Sequence, residues 1–313
     1  MQPWFGYHLP LYTYPDTSTA ELFDRVVEQV AAAEASGFHL VTVMDHLYQI
    51  AGVGAEDEPM LEAWSTLNAL ARETTKVRLG TLVTGVTYRN PALLAKMVTT
   101  LDITSVGRAI LGLGAAWNES EHEGYGFDFP RVGERMDRLD EALTIAKAMF
   151  TEDRATFEGR FSHVQDALNV PNPVQAGGPP NMFGGGGEQR TMRSAAKHAD
   201  MTHWFPLGFD LLKHKTEVLE GYCAEIGRDP STIQRTMAAP AIVARDAAAK
   251  AELLEALPAE RRPYIQGGTP AEAAEALKPY LDAGFIGFTF NNTFYKTPDQ
   301  IAQISEVLER IGG

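Results

Sequence analysis

An acid–histidine pair lies in the middle of the segment VTVMDHLYQ, which covers residues 41–49. The segment begins with four mostly apolar residues that are typical of a buried strand, and Asp45 and His46 follow directly. An imidazole titrates near neutral pH, so His46 is a candidate general acid or base. Asp45 could orient that ring or contact a ligand. The pair therefore predicts proton transfer at the end of a core strand.

A second candidate site is the glycine-rich segment FGGGGEQRTMR, which starts at residue 183 and runs into a predicted helix over 187–198. Bare backbone N–H groups and the helix dipole favour a bound anion, so the segment predicts a phosphate site. The alternative is a tight strand–helix turn without a ligand. No Lys-Ser/Thr pair follows, which excludes a Walker loop.

The segment GLGAAW, residues 112–117, begins like a dinucleotide fingerprint but has Trp117 where the third glycine belongs. It also lies on the fourth predicted strand instead of the first. We therefore expect no Rossmann site here. The backbone of Ala115 and Ala116 could still pass close to a ligand phosphate.

Four histidines fall at or near predicted strand ends, namely His8, His46, His122 and His203. Neutral imidazoles bind metals well, so a metal hydrolase has to be considered. The first strand has no His-x-His pair, and no strand end is rich in carboxylates at metal-binding spacing. We expect no metal site, and we expect most of these histidines to form hydrogen bonds in a polar cleft wall.

Composition narrows the class of protein further. The chain has 313 residues, and 27 basic against 41 acidic residues give a net charge of −14, which disfavours nucleic acid as a partner. The single cysteine, Cys223, excludes an intrachain disulfide. We see neither a signal peptide nor an apolar run of the roughly 18 residues needed to span a membrane. These features predict a soluble cytoplasmic protein.

Strand-like and helix-like segments alternate eight times along the chain. The strands are near-continuous apolar runs, which is typical of a parallel sheet covered on both faces. We predict an α/β fold, a (β/α)8 TIM barrel forming one domain over residues 1–313, with an insertion at 151–180 after the fourth helix. An open doubly wound sheet is the alternative, although it usually has fewer units. The barrel would place Asp45 and His46 at the strand ends where active sites occur.

Helix and strand limits follow from local signals. Ser18 and Glu21 form a candidate capping box for the first helix, Pro59 is expected to open the second, and Asn90-Pro91 the third. Residues 233–244 read as one continuous strand.

The motifs VMDHLYQ, LGTLVTGVTYRNPALLAK, GRAILGLGAAWNESEHEGYGFDFP and PPNMFGGGGEQRTMRSAAKHAD cover most of residues 40–200. Together they resemble the bacterial luciferase-like flavin and deazaflavin oxidoreductases. The resemblance implies a non-prolyl cis peptide at Leu82–Val83, under the ring system of a cofactor. It also implies that the cofactor's phosphate tail is held by two backbone segments. Their residues are Ala115, Ala116, Trp117 and Asn118, and Gly185, Gly186 and Gly187.

The Asp45-His46 pair is similar to the branch that uses coenzyme F420, a deazaflavin, and FMN is the alternative cofactor. The resemblance implies hydride transfer between F420 and a small substrate, with Asp45 and His46 next to the reacting ring. An FMN-dependent monooxygenase using reduced flavin and O2 stays open, as does a cofactor-binding protein without turnover. Members of this family are commonly homodimers, and we expect the same here.

Four aromatic side chains are candidates for an apolar substrate pocket, namely Tyr48, Trp64, Trp117 and Trp204. Such a pocket favours a carbonyl compound, an enone or an imine as the substrate.

Overall fold

The computed structural model describes residues 2–312. Its strands are β1 (Trp4–Leu9), β2 (Leu40–Val43), β3 (Arg78–Thr81), β4 (Thr84–Gly85), β5 (Ala109–Gly114), β6 (Ala155–Glu158), β7 (His163–Ala167), β8 (Asn181–Gly184), β9 (Met201–Trp204), β10 (Gln234–Ala238), β11 (Ala241–Val243), β12 (Gln266–Gly268) and β13 (Phe285–Asn291). Its α-helices are α1 (Leu22–Ala35), α2 (Ala63–Glu73), α3 (Pro91–Thr104), α4 (Glu119–Tyr125), α5 (Val132–Thr151), α6 (Thr191–His198), α7 (Phe209–Glu225), α8 (Ala247–Ala256), α9 (Pro270–Asp282) and α10 (Pro298–Gly312).

Parallel strands close into a barrel in the order β3-β2-β1-β13-β10-β9-β8-β5-β4, and β3 also pairs with β5. β3 and β4 are two pieces of one barrel strand, so eight positions surround the axis. The (β/α)8 prediction is confirmed. Among residues 2–312, no helix is both long and apolar enough to cross a bilayer.

Two apolar layers hold the barrel together, because successive strand residues face opposite sides of the sheet. Leu40, Ile110, Met182 and Met201 fill the interior. The alternate residues, such as Val41 and Val43 on β2, pack in the larger core between the strands and the helices.

Strand β3–β4 is joined to its neighbours by a chain of side-chain hydrogen bonds. Trp64 Nε1 on α2 donates to Thr84 Oγ1 at 3.2 Å, and Thr84 Oγ1 donates to Thr81 Oγ1 at 3.0 Å. Thr81 Oγ1 donates in turn to the carbonyl of Gly112 on β5 at 2.8 Å. This chain, the seam relay, spans the gap between the two pieces of the strand.

Several predicted limits need correction. Helix α2 begins at Ala63 and not at Pro59, because the Glu62 carboxylate accepts hydrogen bonds from the N–H groups of Trp64 and Ser65. Helix α1 begins at Leu22, one residue after the predicted capping box, although Glu21 does accept a bond from the Ser18 N–H at 3.1 Å. The Asn90 cap of α3 is confirmed, since its side chain accepts bonds from two N–H groups of the first turn.

The segment 233–244 is not one strand. It breaks before Pro240, which has no N–H to donate to a ladder, and its second half, β11, pairs with β12 outside the barrel. The segment 151–180 carries the antiparallel hairpin β6–β7 between α5 and β8. Helices α4 and α8 were not predicted, and α4 matters because it carries part of the candidate site.

Candidate active site

Asp45 lies at the carboxyl end of β2, but its carboxylate is engaged away from His46. Arg89 donates to both of its oxygens, at 2.6 and 3.0 Å, and Asp45 is only 1% exposed. Arg89 also donates to Glu62 at 2.5 Å, which ties the strand end to the start of α2. The expectation that Asp45 orients the His46 ring is therefore corrected, since Asp45 anchors Arg89.

The group that does orient His46 is Glu121, on helix α4. His46 Nδ1 lies 2.6 Å from Glu121 Oε1, and the Leu47 N–H donates to Glu121 Oε2 at 2.7 Å. The Tyr88 hydroxyl donates to the same carboxylate, which is fully buried. A buried carboxylate held by several donors fixes the position of the ring that it accepts from.

The electrostatics of this cluster favour an ionised Glu121. Burial alone would raise the pKa of its carboxyl group, but the hydrogen bond and charge of His46 and the bond from Tyr88 together lower it. Burial and the neighbouring Glu121 raise the pKa of Tyr88, so that phenol stays protonated and donates. Because a carboxylate only accepts, Nδ1 of His46 carries a hydrogen, and the neutral form of the ring therefore has its lone pair on Nε2.

His46 Nε2 is the side of the ring that remains available. The side chain is 13% exposed, and no group within residues 2–312 hydrogen-bonds to Nε2. Trp117 approaches the ring edge-on with 5.5 Å between centroids, and it is 60% exposed itself. The arrangement gives one imidazole nitrogen to Glu121 and leaves the other for a ligand.

The predicted cis peptide is present between Leu82 and Val83. Val83 lies against two glycines, Gly114 on β5 and Gly184 on β8. A Cβ added at Gly114 would lie 2.9 Å from Val83 Cγ2, and one added at Gly184 would lie 2.7 Å from it. Val83, Gly114 and Gly184 thus form a closely packed surface, here called the Val83 platform.

The two segments expected to hold a phosphate tail follow β5 and β8. Ala115 and Ala116 are partly exposed, and Ala116 has a left-handed φ of +60°, unusual for a residue with a side chain. Gly185 has a φ of +112°, and a Cβ at Gly187 would lie 2.9 Å from Thr191 Oγ1. Helix α6 begins at Thr191 and not at the predicted 187, so Gly185, Gly186 and Gly187 are all loop.

The other histidines near strand ends form hydrogen bonds inside the protein, as expected for a polar wall. His8 Nδ1 lies 2.9 Å from Thr42 Oγ1, His203 Nδ1 lies 2.9 Å from Thr236 Oγ1, and His122 Nε2 lies 2.6 Å from Thr87 Oγ1. Burial lowers the pKa of His8 to about 4 and that of His203 to about 3. Within residues 2–312, no group of three or more His, Cys, Asp or Glu is placed to hold a metal ion.

Two of the four predicted pocket aromatics belong to the core. Trp64 is 1% exposed and packs between α2 and β4, and Trp204 is 3% exposed and packs against Phe285 between barrel and helices. Their assignment to a substrate pocket is corrected. Tyr48 and Trp117 are accessible, and Tyr48 packs beside Tyr125 of α4 at 5.6 Å.

Sequence reasoning missed Glu121, Tyr88 and Arg89. Glu121 stands in the motif NESEHE, where three acids within five residues give no hint that one is buried. Its contact with His46 spans 75 positions in the chain, so only the fold brings the two together.

Comparison with known proteins places the chain in a family. Residues 5–307 match the family described as luciferase-like monooxygenase, and the chain belongs to it. The F420-dependent glucose-6-phosphate dehydrogenase of Kineococcus radiotolerans is 30% identical, over 88% of this chain and 89% of its own length. The enzyme of the same name from Amycolatopsis mediterranei is 27% identical, over 90% and 92%.

Solved structures share the fold. An F420-dependent secondary alcohol dehydrogenase in complex with an F420–acetone adduct aligns with a TM-score of 0.80 at 22% identity, covering 99% of both chains. The long-chain alkane monooxygenase LadA aligns with a TM-score of 0.83 at 16% identity, covering 99% of this chain and 92% of its own.

Proposed function

We propose that this protein is a coenzyme F420-dependent oxidoreductase that transfers a hydride between F420 and a small carbonyl-type substrate, in which we include enones and imines. The observation that carries the proposal is the His46–Glu121 pair at the end of β2, with Nε2 of His46 left for a ligand. The relatives named F420-dependent glucose-6-phosphate dehydrogenase support the choice of cofactor.

The residues at the open end of the barrel fit a flat ring with a phosphorylated tail. The Val83 platform exposes little more than backbone and one branched side chain, and larger residues at Gly114 or Gly184 would collide with Val83. Ala115, Ala116, Trp117 and Asn118 and the glycines at 185–187 would hold the tail through backbone groups. Asp45 and His46 would lie beside the ring, Asp45 acting through Arg89.

F420, when bound, supplies a two-electron hydride acceptor or donor. The protein's part is to position the substrate and to move one proton. As an alcohol carbon gives up its hydride and becomes a carbonyl, His46 Nε2 accepts the hydroxyl proton, and the ionised Glu121 stabilises the imidazolium that forms. In the reverse direction the same nitrogen donates the proton to the carbonyl oxygen.

The first experiment titrates the purified protein with F420 and, separately, with FMN, following the fluorescence of each. Micromolar or tighter binding of F420 with much weaker binding of FMN is the expected result. Reduced F420 would then be tested against carbonyl compounds, enones and imines. The variant His46→Ala should bind F420 as the wild type does and lose turnover, whereas unchanged turnover would refute the role of His46.

An FMN-dependent monooxygenase is the second candidate, because the family description and the alkane monooxygenase fold both fit it. If the protein prefers FMN in the titration and consumes oxygen when reduced flavin is added, the monooxygenase function replaces the F420-dependent one. Tight binding of either cofactor without any turnover would instead favour a non-catalytic binding protein.

We also propose a cytoplasmic homodimer in which α3 faces its copy. Leu93 and Ile103 on α3 are 55% and 36% exposed, Val106 just after the helix is 74% exposed, and Val170, whose carbonyl accepts a hydrogen bond from Lys96 of α3, is 71% exposed. An apolar surface of this kind on a charged protein is typical of an interface. Light scattering should give twice the monomer mass, and Ile103→Glu should shift the protein to monomer. A monomeric wild type would refute the dimer.

A further inference from the structure

Lys215 is a buried lysine that the proposed chemistry does not use. It lies on α7, its side chain is 9% exposed, and its ammonium group donates to the carbonyl of Gly186. Lysine is rarely buried unless it is paired. The glycine loop thus has a fixed positive charge directly behind it.

Within the described residues, the groups that contact this ammonium offset its positive charge poorly. Besides the neutral Gly186 carbonyl, Lys215 Nζ has Glu188 Oε1 at 3.6 Å, and the Glu188 side chain is 42% exposed. An ammonium has three N–H donors, and these contacts use two at most. Burying a charge costs free energy unless a strong partner offsets it.

The position of the ammonium suits an anion held by the glycine loop. A Cβ added at Gly186 would lie 3.3 Å from Lys215 Nζ, so the amine touches the loop where a side chain would stand. Backbone N–H groups of Gly185 and Gly187 flank that point. By donating to the Gly186 carbonyl, Lys215 keeps that oxygen, which would repel an anion, turned toward itself.

We propose that Lys215 is the residue by which this protein distinguishes a cofactor that carries a phosphodiester from one that lacks it. The inference rests on the proposed function, since it takes the cofactor tail to lie on the glycine loop. Lys215 offsets the charge of the phosphodiester and orients the Gly186 peptide.

The test compares F420 with FO, the F420 fragment that lacks the phosphodiester and the acidic tail, by fluorescence titration. In Lys215→Met, the Kd for F420 should rise about 10- to 100-fold, the range expected for losing a hydrogen bond to a charged group. The Kd for FO should stay within twofold of the wild type. Lys213→Met is the matched control, because Lys213 lies one half-turn away on α7 and is exposed.

If Lys215→Met raises the Kd for F420 and the Kd for FO equally, Lys215 has only a structural role. If it raises neither Kd, Lys215 is not part of the binding site. Both results overturn the inference. If Lys215→Met does not fold, Lys215→Gln takes its place, since an amide can still donate to Gly186 without a charge. If the wild type prefers FMN, the F420 proposal fails, and comparing FMN, which carries a phosphomonoester, with riboflavin then tests whether Lys215 recognises a phosphate group on the glycine loop. A wild type that binds none of the four compounds overturns both proposals.

Discussion

Replacing Glu121 with glutamine should disable His46 while leaving the fold and the cofactor site in place. One oxygen of the carboxylate faces the Leu47 N–H at 2.7 Å, and the other faces His46 Nδ1 at 2.6 Å. A glutamine has one oxygen and one NH2 for these two places. The Leu47 N–H is fixed by the backbone, so the amide oxygen must stay on it, and the NH2 group must face His46.

The consequence is a change of tautomer. Facing an NH2 donor, Nδ1 has to accept, and the neutral ring then carries its hydrogen on Nε2. That nitrogen can no longer take a proton from an alcohol. The corresponding carboxylate-to-amide change in a Ser-His-Asp triad lowers kcat by about 10⁴-fold, and losing the partner of a metal-bound histidine costs about 10- to 100-fold. We expect a loss of about 10²- to 10⁴-fold in kcat for Glu121→Gln.

The assay is steady-state alcohol oxidation followed by the absorbance of F420, with the Kd for F420 measured in parallel. The Kd for F420 should change less than about threefold. A tenfold change in Kd corresponds to about 1.4 kcal/mol of binding free energy, and Glu121→Gln should alter the binding free energy by much less than that. Glu119→Gln is the control, because Glu119 lies on the same helix and is exposed. A folded Glu121→Gln enzyme with kcat within threefold of the wild type would refute the tautomer argument.

Two further predictions concern stability. Gly184→Ala puts a Cβ 2.7 Å from Val83 Cγ2 and should destabilise the protein by about 1–3 kcal/mol in urea unfolding, with most of that loss recovered in a Val83→Ala background. The control is Gly221→Ala on α7, where the new Cβ meets nothing within 4 Å and should stabilise the protein by about 0.5–1 kcal/mol. Equal effects of the two substitutions on stability would contradict the packing argument. His203 has a folded pKa lowered to about 3 by burial, so the unfolded chain takes up the proton first. Stability should therefore fall as pH drops below the ordinary histidine range, by up to about 1.4 kcal/mol per pH unit from this residue, and His203→Gln should flatten the slope between pH 7 and 5. The same slope in both proteins would show that His203 is already charged when folded.

The barrel could be predicted because its signals are local. Apolar runs, the Asn90 cap and the glycines that end α1 and α3 each specify one element from a few neighbouring residues. The cis peptide at Leu82–Val83 followed from family resemblance, and the structure has it at the same bond. His46 was found because a histidine after an apolar strand is visible in the sequence itself.

The partners of the site could not be predicted because they depend on tertiary distance. Asp45 stands next to His46 in the chain, yet it pairs with Arg89, 44 positions away, and His46 pairs with Glu121. The errors at Trp64 and Trp204 have a related cause. Tryptophan is equally suited to a core and to a pocket, and only the side of the strand or helix that it occupies decides between them.

The seam relay links helix α2 of the outer layer to the Val83 platform. Trp64 on α2 holds Thr84, and Thr84 and Thr81 flank the two residues at Leu82 and Val83. A change in the outer layer, such as Trp64→Phe, removes the bond to Thr84 and leaves the bonds from Thr84 to Thr81 and from Thr81 to Gly112. A mutation in the helical shell thus has a route by which evolution or an engineer can adjust the Val83 platform from a distance.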